Sequence, residues 1–61
     1  MKILEIESQL NETNLEVQLM YLCISLAKEA GYTHVKDNWG YNAYDWYSID
    51  EALVQFKPKN S

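Results

Sequence analysis

No glycine or proline interrupts the chain before Gly31. Both residues weaken helices, so their absence leaves half the chain free to run as one, and its apolar spacing is helical rather than alternating. Ile3, Ile6, Leu10, Thr13, Val17, Met20, Ile24 and Ala27 step by threes and fours, the a/d pattern of a heptad seam with Thr13 as its one polar member. This spacing predicts a long N-terminal helix that pairs with a second copy through Ile3, Ile6, Leu10, Val17, Met20 and Ile24. A second stripe, Leu15, Leu19, Leu22 and Leu26, lies on the opposite side of the same helix in its later half. A helix apolar on two faces is buried on two sides, one against its own chain and one against a partner. Thr13 and Glu16 form a capping-box pattern, which supports a competing reading: a helix broken near residues 11–14 and folded back on itself. In either case Gly31 ends it, because glycine enters the left-handed region without steric cost.

Beyond Gly31 the composition shifts toward strand formers. Residues 32–36 read as a strand, residues 37–40 as a turn and residues 41–46 as a return strand, giving a β-hairpin over 32–46. Ser48, three residues before Glu51, is a second capping box, and Ile49, Ala52, Leu53 and Phe56 keep helical spacing, so a short helix is expected over 49–56. Pro58 stops it. The expected architecture is α+β, with an all-α fold as the alternative: one small domain over 1–56 and a frayed tail over 57–61.

At 61 residues such a domain buries only about 60% of the surface its unfolded chain exposes, so its folding margin is thin and it needs a staple. Cys23 is the single cysteine and His34 the single histidine, so neither an internal disulfide nor a four-ligand zinc site can be assembled, and no metal or cofactor is expected. Self-association is the remaining device, most simply a homodimer, and 48% hydrophobic residues supply material for an interface as well as a core. The formal net charge is -4 and all five basic residues are lysines. Without arginine, the usual bidentate reader of phosphate and guanine, direct binding to nucleic acid is not expected. The longest apolar run, residues 19–24, is far short of the roughly 20 residues that span a bilayer, and the acids of the first seven residues are foreign to a secretory signal. A cytoplasmic protein, complete from Met1, is expected.

The catalytic combinations are thin. Cys23 sits in the most apolar run, where a cysteine is usually an inert buried hydrophobe, and His34 with Asp37 falls short of a coordination set. Asp50 and Glu51 occupy a helix first turn, where the dipole favours acids in any case. The chain reads as a non-enzyme. Its most informative feature is five rings in nine residues, Trp39, Tyr41, Tyr44, Trp46 and Tyr47. Alternation along a strand separates Tyr44 and Trp46 from Tyr41, Asp45 and Tyr47. Tyr44 and Trp46 are assigned to the core, and Trp39, Tyr41, Asp45 and Tyr47, with Asp50 and Glu51, to a partner-binding surface. Residues 37–56 hold four acids, no base and six aromatics, a mixture suited to an aromatic centre with a charged rim. These features lead to an expected small acidic inhibitor, of the phage anti-defence or antitoxin kind, that occludes a basic, nucleic-acid-binding surface on a larger protein. The alternative is a structural or regulatory adaptor that pairs through its heptad helix.

Overall fold

The computed structural model describes residues 1–9 and 12–59. In chain order the elements are β1 (Ile3–Ile6), α1 (Asn14–Glu29), β2 (His34–Gly40), β3 (Ala43–Ser48) and α2 (Ile49–Gln55). The α+β class holds, but the chain opens on a strand and not on a long helix, and the sheet has three strands where the sequence suggested two. β1 pairs with β2 in parallel, Ile3 beside His34 and Ile6 beside Asp37, and β3 pairs with β2 antiparallel. Parallel pairing needs a crossover, and α1 supplies it.

Three devices set these boundaries. Thr13 caps α1: its side chain accepts from the Glu16 amide at 3.2 Å, and the Glu16 carboxylate accepts from the Thr13 amide at 3.0 Å. The capping box therefore starts α1 at Asn14 and leaves Ile3 and Ile6 outside the helix, in β1. At the far end Gly31 takes a φ of 91°, and the Tyr32 and Gly31 amides donate to the Ala27 and Lys28 carbonyls, the paired bonds of a Schellman motif. Ser48 and Glu51 repeat the capping box at the start of α2. The hairpin turns at Tyr41 and Asn42, with Asn42 at a φ of 56°, a conformation asparagine tolerates better than most residues. The expected turn at residues 37–40 is instead the end of β2, with a register irregularity between Asp37 and Gly40.

Both helices cover one face of the sheet. Ile24 and Ala27 of α1, Val35 of β2, and Ile49 and Ala52 of α2 form the buried core, and Leu4, Ile6, Met20, Tyr47 and Phe56 pack around it. Among the described residues, only Ile24 and Val35 are large side chains with essentially no exposure. The opposite face of the sheet carries Ile3, Glu5, His34, Lys36, Tyr44 and Trp46 by strand alternation. There the Lys36 ammonium lies 4.6 Å from the Tyr44 ring centroid and 5.6 Å from that of Trp46.

Hydrogen bonding from the Thr13 backbone, and then from its side chain, holds the Glu16 carboxyl below its ordinary pKa, and Ser48 acts on Glu51 in the same order. The hydrogen bond to Asp50, followed by the charge of Asp50, raises the Lys28 ammonium. Each depressed carboxylate adds stability that is present above its unfolded pKa and is lost as pH falls through the folded one. The raised lysine adds stability that is present below its unfolded pKa and is lost as pH rises through the folded one. Unfolding midpoints are therefore expected to plateau near neutrality and decline at both the acid and the strongly alkaline end. Glu16→Gln with Glu51→Gln should flatten the acid limb; an unchanged acid limb would show that the caps do not set it.

Candidate functional site

Two surfaces stand out, and neither is the predicted one intact. The first surrounds the hairpin tip. Asp37 is 3% exposed, and its carboxylate accepts from the Ser8 amide at 2.9 Å and from the Ser8 hydroxyl at 2.6 Å. Asp45 lies directly opposite Asp37 in the β2–β3 register and accepts from the Trp39 indole nitrogen at 2.9 Å. These two acids, with Trp39, Tyr47 and Phe56, line a hollow of about 460 Å³ beyond the end of the core. Burial, and then the charges of Asp45 and Asp37, raise the Tyr47 phenol above its ordinary pKa, as a negative pocket should. Tyr41, 96% exposed, projects at the tip itself.

The predicted partner-binding residues are therefore split. Trp39, Tyr41 and Asp45 gather near the tip, while Asp50 and Glu51 lie past the far end of β3. Asp50 is ion-paired with Lys28 at 2.8 Å and Glu51 is spent on the α2 cap. Tyr47 faces inward, edge-on to Phe56 at 5.5 Å, while Tyr44 and Trp46 are half exposed on the open face, the reverse of the assignment from sequence. The cause is the register: with the turn at Tyr41 and Asn42, Tyr47 falls opposite Val35, the buried residue of β2. Sheet position, and not ring size, decides which rings are covered.

The second surface is the outward face of α1. Leu15, Leu19, Leu22 and Leu26 are 65%, 53%, 52% and 59% exposed. Met20 and Ile24, assigned from sequence to a partner, instead pack in and around the core, Val17 is half-buried beside Met20, and Leu10 lies outside the described residues. The stripe assigned to a partner packs inward, and the other is exposed. The capping box at Thr13 removes the seam's advantage in length, because it strips the seam of Ile3 and Ile6 and leaves two stripes of equal length on one helix. The outward face carries Gln18 on one flank and Cys23 and Ala30 on the other, with Glu29 as the charge nearest the leucines. Shallow hollows border it on both sides, one of about 390 Å³ lined by Tyr21, Leu22, Ser25 and Pro58, the other of about 330 Å³ by Cys23, Leu26, Ala27 and Tyr32. Pro58, expected in a frayed tail, is buried there.

Cys23 is exposed on this face rather than buried. His34 lies on the open face of the sheet, across the molecule from Cys23, and strand alternation sends His34 and Asp37 to opposite faces of β2. Neither pair can act together. Among the described residues no group of three or more His, Cys, Asp or Glu side chains could hold a metal ion, and no helix is long and apolar enough to cross a membrane. The chain matches no protein-family model, no curated protein and no solved structure.

Proposed function

We propose that this chain is a small non-enzymatic protein-binding module that acts by laying the outward face of α1 against an apolar helix of another polypeptide. The observation that carries this is the leucine stripe. Four leucines, each more than half exposed at heptad spacing, leave roughly 400 Å² of contiguous apolar surface, within the range of the largest patches on monomers, which are often functional. This reading favours the pairing adaptor over the occluding inhibitor, because two of the acids meant for a basic partner are engaged within the fold. The inhibitor reading keeps one support, the exposed Tyr41 and Trp39 beside Asp45 at the hairpin tip.

Size-exclusion of the tagged chain in an extract of its own host, at low and at moderate salt, separates the two. The stripe reading expects a complex indifferent to salt and lost in a Leu19→Glu, Leu22→Glu variant, since an apolar seam is not screened. The inhibitor reading expects a complex that dissociates with salt and is lost in a Trp39→Ala, Tyr41→Ala variant. A complex that survives the glutamate pair overturns the stripe reading.

A further inference from the structure

Resting on the stripe reading, we infer that the polypeptide covering α1 is a second copy of this chain, its α1 running antiparallel to the first about a two-fold axis between Leu19 and Leu22.

The spacing points to a self-complementary surface. Leu15, Leu19, Leu22 and Leu26 are separated by four, three and four residues, which reads the same from either end. Turned about a two-fold axis at its midpoint, the stripe sets Leu19 against the partner's Leu22 and Leu15 against the partner's Leu26, so each leucine meets a leucine. An interface that uses one patch twice must have this property. The stripe also removes the electrical objection to pairing a chain of net charge -4 with itself, because the acids lie elsewhere and Glu29 flanks only one end.

Orientation follows from the ends. Antiparallel pairing sets the positive N-terminal end of each helix dipole beside the negative C-terminal end of its partner's, whereas parallel pairing aligns like ends. The area approaches that of a specific interface. Leucines alone remove roughly 800 Å² from water over both copies, and the walls of the flanking hollows carry this toward the about 1,200 Å² at which specific interfaces begin. A core with two large, fully buried side chains gains the most from such a cover.

The test uses the purified full chain. Sedimentation equilibrium at about 100 µM should return twice the chain mass, and the Leu19→Glu, Leu22→Glu variant one chain mass with its helix signal retained. In a Cys23→Ser background, spin labels at Gln18→Cys and at Glu29→Cys then report orientation with every leucine intact. At a rise of 1.5 Å per residue, the two-fold axis offsets the copies along the helix by about 8 Å at position 18 and about 25 Å at position 29, so a short and a long distance are expected. Two short distances mean parallel helices and overturn the inference. A dimer unaffected by the glutamate pair overturns both it and the stripe reading. A purified single chain whose glutamate variant still loses its complex in host extract overturns the second copy and leaves the stripe reading standing.

Discussion

Ile24→Ala is expected to lower the melting temperature by about 10 °C or more, and Trp46→Ala by only a few degrees. Ile24 is the fully buried centre of the contact between α1 and the sheet. Its truncation leaves a cavity that a helix and strand cannot close, at a cost of about 2–5 kcal/mol. In a domain of this size each kcal/mol moves the midpoint by roughly 4–8 °C. Trp46, although much larger, is 50% exposed and meets Lys36 and the edge of Tyr44, contacts worth on the order of 1 kcal/mol together. Thermal unfolding followed by far-ultraviolet circular dichroism compares the two directly. Equal losses would place Trp46 in the core and overturn the face assignment.

Asp37→Ala should cost roughly 2–4 kcal/mol, the second large effect, because hydrogen bonds to a charged group contribute about 1.5–3 kcal/mol each and Asp37 receives two from Ser8. Part of this loss is offset, since Asp37 directly opposes Asp45 across the ladder and removing a like charge relieves roughly 0.2–1 kcal/mol. The contact ties the end of β1 to β2, with no other side chain bonded to the Asp37 carboxylate among the described residues. Denaturant titration of Asp37→Ala, Ser8→Ala and the double variant tests the pairing. If the two single losses simply add, the residues do not act through one another.

Local chemistry in this chain was legible; long-range pairing was not. Both capping boxes and the Gly31 stop can be read from a few neighbouring residues, because the groups that satisfy a helix end lie within one turn of it. β1 was not legible. Ile3 and Ile6 are three apart, a helical interval, and the strand they occupy is fixed by β2 about thirty residues later. The hairpin was visible but its turn was misplaced, since Asp37, Asn38 and Gly40 together offer more turn-forming residues than the lone Asn42. That displacement carried the inversion of Tyr44, Trp46 and Tyr47 with it. The α1 faces were ambiguous for a different reason: both stripes are aliphatic at heptad spacing, and only the tertiary contacts of Ile24 and Ala27 decide which turns inward.

The parallel pairing of β1 also orders events in time. β2 and β3 are joined by two residues and can close within microseconds, with α2 following directly from β3. β1 meets β2 only after residues 7–33 have been gathered between them, a loop whose entropy must be overcome before the ladder returns anything. The strand synthesised first is thus the strand paired last. During translation Ile3–Ile6 is made about thirty residues before its partner, so the nascent chain carries an unpaired apolar strand until β2 has emerged.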